Sequence, residues 1–452
     1  MAPQDPESGF RPDKSDFAPH VAGGPVARSR QRAVRVQLVS ICLIASLTYG
    51  CSKHTNEAEM HPFEESEKSG ELSFTIVGDY FNHHYVLELA RLAQTLSPGS
   101  RQIYFCSPQF EKALDPLLAA NHIENVETVP LNHSSLFLTQ WARDIFVAGT
   151  DGDHRIIIAS PYKNARSPEE ANAIVGFLRG ALPGYAIRVA PFVFEGGNLA
   201  FVSFNGKRYL IVGKKVIFDN RVYQKRPWAP GYDDTALRAA IAKTFQVDSV
   251  VVVGRARKPP PARMYFEYHI DMGMAVLKDD RAVVSRLEFG DREKRQLSHA
   301  IETTYHVITP FASVPRDSLL RKLSCRLTSV AKEYDDYAAV LDSLGLEVYR
   351  SPVDWRHVLG SMSWTNIVQA GDRILMPIYP DSLRGITTEV DNVGGQMRIT
   401  LDASDLSNET FDAHLNEANR ELYESLGYEV VEVPEYLHYM MGGLHCFVNV
   451  VE

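Results

Sequence analysis

The chain has 452 residues, 45% of them hydrophobic and 23% charged, a composition that excludes a disordered or fibrous protein and suits a globular one. Its 56 acidic residues outnumber 47 basic ones, and the formal net charge of -9 argues against nucleic acid as a main partner while weakly suiting a cationic ligand. The five cysteines, Cys42, Cys51, Cys106, Cys325 and Cys446, are too scattered for a disulfide framework and have no metal-ligand spacing.

Residues 1–35 carry several prolines and few large apolar side chains, and end in Arg28, Arg30, Arg32 and Arg35. An apolar run of about 14 residues follows from Val36 to Tyr49, short of the roughly 20 that a membrane-spanning helix needs. A basic flank, a short apolar run and a small residue before a break form the layout of a secretory signal. Gly50-Cys51 after Leu47 and Thr48 resembles a bacterial lipobox, in which Cys51 would be lipidated and become the mature N-terminus. Residues 1–51 are then a leader, and 52–70, rich in Glu, Ser and Lys, a polar tether. A single domain runs from 71 to 452. The expected location is the cell envelope, the periplasm or the exterior, with a lipid anchor as the one link to a membrane. A translation start downstream of the leader would make it cytoplasmic instead.

From Leu72 onward, short β-branched runs alternate with amphipathic helices, the mark of an α/β fold. Within this alternation a unit recurs: a helix, a turn, then a strand that ends near a proline or glycine before a loop. The clearest copies are Leu182–Pro191, Leu344–Pro352 and Leu426–Pro434, and weaker ones are Asn125–Pro130 and Val247–Gly254. The loops that follow carry Trp141-Ala-Arg-Asp144, Glu195-Gly-Gly-Asn198, Tyr268-His-Ile-Asp271, Ser363-Trp-Thr-Asn366 and Gly442-Gly-Leu-His-Cys446. Repeats whose loops share one place in the unit bring those loops to one end of a closed array. The expectation is an α/β propeller of five ββαβ-type modules with pseudo-fivefold symmetry, the strand Phe447–Val451 returning to complete the first module.

The converging loops offer Asp144, Glu195, His269, Asp271 and Cys446: a thiol, an imidazole and three carboxylates. Opposed carboxylates fit a planar cation with donors on both edges, and guanidinium matches that geometry. Its central carbon is resonance-stabilised, so attack needs a soft nucleophile and a proton for the departing amine. A thiolate supplies the first, and a nearby cation favours it. A histidine that titrates near working pH supplies the second, and a carboxylate can fix its tautomer.

With these five segments in this order, the chain resembles the guanidine-modifying enzymes of the pentein fold, most of all the agmatine deiminases and bacterial peptidylarginine deiminases. The resemblance covers roughly Phe74 to Val451. It implies that Cys446 attacks the guanidine carbon, that His269 protonates the departing amine and then activates water, and that Glu195 orients His269. It further implies that Asp144 and Asp271 grip the guanidinium, with Trp141, Arg143, Asn198, Asn366 and Gly443 lining the substrate site. No metal or organic cofactor is implied. The partner is then a small guanidino compound or an arginine-containing peptide.

The chain departs from the deiminase pattern after Cys446, where it reads Phe447-Val-Asn-Val450 instead of threonine and glutamines. It departs again after Glu195-Gly-Gly, where Asn198-Leu-Ala-Phe201 stands. Arg143-Asp144-Ile-Phe146 and His269-Ile-Asp271 are also similar to amidinotransferase motifs, so transfer to a second amine is the alternative. A lipoprotein that binds cationic ligands without turnover is the non-enzymatic one.

Overall fold

The computed structural model describes residues 63–65, 74–77, 86–87, 89–91, 94, 101–130, 142–254, 269–308, 315–379, 385–392, 395–402, 409–434 and 443–450. The leader with Cys51, and the site candidates Trp141 and Gly442, lie outside the described residues.

Among the described residues, nineteen strands follow in chain order. The first ten are β1 (Phe63–Glu65), β2 (Phe74–Val77), β3 (Gln102–Cys106), β4 (Val126–Pro130), β5 (Phe146–Asp151), β6 (His154–Ala159), β7 (Ala186–Val189), β8 (Leu199–Phe204), β9 (Lys207–Gly213) and β10 (Ser249–Val253). Then come β11 (Met274–Val276), β12 (Arg281–Leu287), β13 (Glu347–Val353), β14 (Val368–Ala370), β15 (Arg373–Ile378), β16 (Gly385–Asn392), β17 (Gly395–Asp402), β18 (Glu429–Pro434) and β19 (Asn449–Val450).

They form several small sheets that share one pairing rule. The pairs β5–β6, β8–β9, β11–β12 and β14–β15 are antiparallel, and the second strand of each pairs in parallel with β7, β10, β13 and β18 respectively. A parallel partner demands a crossover, and helices supply it: α2 (Pro168–Ala181), α3 (Lys214–Tyr223) with α4 (Asp234–Phe245), α5 (Asp291–Ile308) with α6 (Arg316–Ser343), and α8 (Glu409–Ser425). In the remaining sheet β19 returns antiparallel to β2, which is followed in parallel by β3 and, across α1 (Pro108–Ala120), by β4. No closed sheet joins these pieces among the described residues.

Two elements depart from the expected outline. β1 lies inside the stretch read as a tether, yet Phe63–Glu65 pairs antiparallel with Gly149–Asp151 and lengthens that sheet. The ribbon β16–β17 is inserted between β15 and α8 and packs on α5 and on the short α7 (Trp355–Leu359).

Local chemistry accounts for the helices. Ser167 caps α2 by accepting from the Glu170 backbone N–H at 3.2 Å; Pro168 opens the helix, and Glu169 and Glu170 occupy its first turn. Ala171, Ile174, Leu178 and Ala181 recur at helical spacing, and that face is the buried one. Burying Ile174 and Leu178 contributes on the order of 2 kcal/mol each. Strand β12 lies between β11 and β13, and Ala282, Val283, Val284 and Leu287 are all buried there, as a strand covered on both faces requires.

Candidate active site

Each loop singled out in the sequence lies just before the first strand of an antiparallel pair. Ala142–Asp144 forms a 3-10 turn before β5, Gly196–Asn198 one before β8, and Ile270–Met272 one before β11. Trp364–Asn366 precedes β14, and the single turn α9 (Leu444–Phe447) precedes β19. The turns pack on one another: α9 meets the first two 3-10 turns, and the second meets the third. Side chains far apart in the chain are therefore gathered into one cluster.

Cys446 is buried, with 2% of its surface exposed. Its Sγ lies 3.3 Å from Nδ1 of His269, 3.6 and 3.7 Å from the two carboxylate oxygens of Asp271, and 3.5 Å from Nδ2 of Asn366. On the other side of the imidazole, Nε2 is 3.1 Å from Oδ1 of Asp144 and 3.3 Å from Oε2 of Glu195. All five residues of the expected constellation thus meet around one ring. Asn366 joins them as a clamp, because its Oδ1 also accepts from the backbone N–H of His445 at 2.7 Å.

Two glycines make this packing possible. A Cβ on Gly197 would lie 2.6 Å from Nδ1 of His269 and 2.8 Å from Oδ2 of Asp271, so only glycine admits both side chains. A Cβ on Gly443 would strike the Asn366 amide, with Cγ at 2.8 Å. Gly197 and Gly443 are therefore close-approach positions.

The environment splits the titrating groups. Burial, reinforced by the charge of Glu195, pushes Asp144 up to about 7, against the pull of His269. Burial would also raise Glu195, but the hydrogen bond with His269 and the charges of Lys215 and Lys163 hold it well below the usual carboxylate range. Burial disfavours the charged form of His269, yet Asp144, then the Cys446 sulfur, then the hydrogen bond with Glu195 lift it well above its ordinary value. Asp271, although buried, is held low by His445, His269 and Arg143. Burial and the Asp271 charge push the Cys446 thiol up to about 11. At rest the site therefore holds a neutral thiol beside an imidazolium.

Sequence reasoning passed over three residues. His445 bonds Asp271, Nδ1 to Oδ2 at 2.6 Å, so neighbouring residues on α9 address the same carboxylate. Lys163 and Lys215 each place Nζ 2.7 Å from Glu195, on Oε1 and Oε2 respectively. His445 stood in the motif, adjacent to the nucleophile, whereas no spacing pointed to the lysines. Of the other candidates, Arg143 is buried near Asp271 and His445, and Asn198 is buried beside Gly213 at the start of α3. Asp271 also lines a cavity of about 50 Å³, together with Arg143, Thr365, Gln369, His445, Phe201 and Met274. His269, Asp271 and Cys446 place one donor each within 4.8 Å of one another, a set that a thiophilic divalent ion such as zinc could bind.

No family sequence model matches the chain, and no curated protein matches it. Among solved structures, it is similar to one described as the X-ray structure of a putative agmatine deiminase. That match has a TM-score of 0.53 at 10% identity and covers 86% of this chain and 95% of the other. A second match is the apo structure of an arginine dihydrolase from the ornithine-ammonia cycle in cyanobacteria, with a TM-score of 0.35 at 12% identity. It covers 84% of this chain, which spans 40% of that protein. At these identities the likeness is one of fold, and it is the fold of the pentein group that the five sequence motifs resemble.

Proposed function

We propose that the protein hydrolyses a guanidino group to a ureido product and ammonia through a covalent intermediate on Cys446. The observation that carries this is a buried thiol 3.3 Å from an imidazole whose far nitrogen lies against two carboxylates, with a third carboxylate beside the sulfur. A guanidinium held between Asp144 and Asp271 brings positive charge to a thiol whose surroundings are negative, which favours the thiolate. The thiol proton is released to solvent, and the thiolate attacks the guanidine carbon, forming the C–S bond as the C=N π pair moves onto nitrogen. His269, already protonated, gives its proton to the amine that leaves as ammonia. The neutral imidazole then takes a proton from water, whose oxygen attacks the amidino-thioether carbon. The C–S bond breaks, and the ureido product departs.

In this reading residues 71–452 form the catalytic domain, its sheets arranged as five modules around the cluster, and Glu195 serves to orient His269. The test is release of ammonia and formation of a ureido product by purified protein, across agmatine, free arginine, and peptides with internal or C-terminal arginine. Cys446→Ser is expected to abolish turnover and leave the fold intact, and retained turnover overturns the assignment of the nucleophile. A new guanidino product in the presence of glycine or ornithine would move the reading to an amidinotransferase.

A further inference from the structure

We propose that Lys215 is a positioning residue for the general acid: through Glu195 it holds the His269 imidazole against Cys446, and the helix α3 is its mount. This rests on the deiminase reading and adds to it a residue remote from the reacting atoms. The line of contacts is continuous. Nζ of Lys215 lies 2.7 Å from Oε2 of Glu195, and the same oxygen lies 3.3 Å from Nε2 of His269. Nδ1 of that ring lies 3.3 Å from Sγ of Cys446. Asp219, one turn further along α3, takes the same ammonium at 2.7 Å and holds it from the other side. Burial disfavours the charged ammonium, but Glu195 and then Asp219 lift it above the ordinary lysine range. The Lys215 side chain is 11% exposed, so solvent and salt screen the contact little. Lys163, on the other oxygen of Glu195, is 46% exposed and is the weaker hold.

The local topology builds this contact. Strand β9 runs into α3 without a loop, and it pairs antiparallel with β8, Val212 opposite Leu199. Glu195 precedes Leu199 and Lys215 follows Val212, so the two residues leave the ladder at the same end. Asn220 then bolts the helix to the segment that carries Glu195. Its Oδ1 accepts from the Val193 backbone N–H at 3.0 Å, and its Nδ2 donates to the carbonyl oxygens of Val193, at 2.7 Å, and Val216, at 2.8 Å. Asn220 is fully buried, so water does not compete for these bonds. The next residue, Phe194, donates its backbone N–H to Oγ of Ser160 at 2.9 Å. A Cβ on Gly213 would strike the Asn198 amide and lie 3.0 Å from Cγ2 of Ile270. The head of α3 is therefore pressed against the turns that carry Glu195 and His269. Lys215 supplies a charge at a fixed point, where a lysine on an exposed loop would supply only a charge.

The test uses the full chain and a guanidino compound that wild type hydrolyses. Lys215→Met should lower kcat by about 10–100-fold and move KM by less than about threefold, because the hold on the acid is lost and the substrate contacts are not. Lys215→Arg keeps the charge and should recover most of that loss. In a double-mutant cycle, adding Lys215→Met to Glu195→Gln should cost less than about threefold more, since Lys215 acts through that carboxylate. A lysine with only a structural role would give losses that multiply. Alkylation of Cys446 by iodoacetamide reads the same line of contacts without turnover. With the imidazolium loosened, Lys215→Met should label several-fold more slowly than wild type, and Lys215→Arg should not. If Lys215→Met does not fold, Lys215→Gln takes its place. The proposal is overturned if the uncharged variant keeps kcat within about threefold of wild type, if KM bears the loss, or if the cycle is additive. If wild type turns over no guanidino compound, the deiminase reading fails and the labelling decides alone: equal rates in wild type and Lys215→Met then overturn the proposal.

Discussion

Asp144 and Glu195 lie against the same imidazole nitrogen, at 3.1 and 3.3 Å, yet their surroundings drive them apart. Glu195 is clamped by two lysines and stays an anion over the working pH range. Asp144 is dominated by burial, feels the Glu195 charge as a repulsion, and titrates near 7. Two carboxylates on one ring thus acquire two roles from environment alone. The clamped one is a fixed counter-charge for His269. The titrating one is poised to be drawn into its charged form by an arriving cation.

The largest effects should come from separating these two. Glu195→Gln is expected to lower kcat by about 10³-fold at every pH, because the imidazolium loses its permanent partner. Asp144→Asn should cost about 10²-fold above pH 7 and progressively less below it. The sign follows from the raised pKa: below about 7 the wild-type Asp144 is already neutral, so the amide removes little, and above 7 it removes a charge. The wild-type profile of log kcat/KM should therefore rise through pH 7 and flatten, and in Asp144→Asn that limb should disappear. If the limb vanishes in Glu195→Gln instead, the two roles are reversed.

Much of this arrangement can be read from the chain, and what cannot has a common cause. The strands β4, β7, β10, β13 and β18 stand where the helix-turn-strand repeat puts them, because each ends at or near a proline or glycine that also punctuates the sequence. The cluster around His269 is legible because its members sit at equivalent points of that repeat. Lys163 and Lys215 are not, since their carboxylate partner is 32 and 20 residues away and meets them only through tertiary folding. Alone on a loop and in a helical first turn, they read as solvated charges. Among the described residues the ribbon β16–β17 has no counterpart elsewhere, so a reading organised by the repeat passes over it. Likewise Phe63–Glu65 is a three-residue strand in a polar stretch, and its pairing with β5 leaves no periodic trace.

A smaller effect probes the seam between the Glu195 loop and the thiol side. Gly197→Ala places a methyl group 2.6 Å from Nδ1 and 2.7 Å from Cγ of His269. The ring or the Gly196–Asn198 turn has to shift, at a cost of about 1–3 kcal/mol by urea unfolding. Activity should fall as well, since the ring cannot move and keep its contact with Cys446. Gly184→Ala is the control: nothing lies within 4 Å of the added atom, and its effect should stay within about 0.5 kcal/mol. Equal effects at the two positions would mean that the close approach at Gly197 is not a constraint.

The smallest expected change concerns the thiol itself. Burial is the first cause of its raised pKa, and the Asp271 carboxylate, 3.6 Å from Sγ, is the second. Asp271→Asn removes that charge without changing the side chain's size, and an amide can still bond His445. The thiol pKa should fall, and at pH 8, well below about 11, each unit of decrease raises the thiolate fraction about tenfold. The measurement is the rate of iodoacetamide labelling at Cys446, followed by peptide mass spectrometry because Cys325 is exposed and also reacts. Asp144→Asn should act in the same direction but less, since Asp144 is the weakest of the influences on the thiol. Faster labelling in Asp271→Asn means that the carboxylate restrains the nucleophile until a cation neutralises it. An unchanged or slower rate would make Asp271 an orienting group for His445 and Cys446, its charge irrelevant to the thiol.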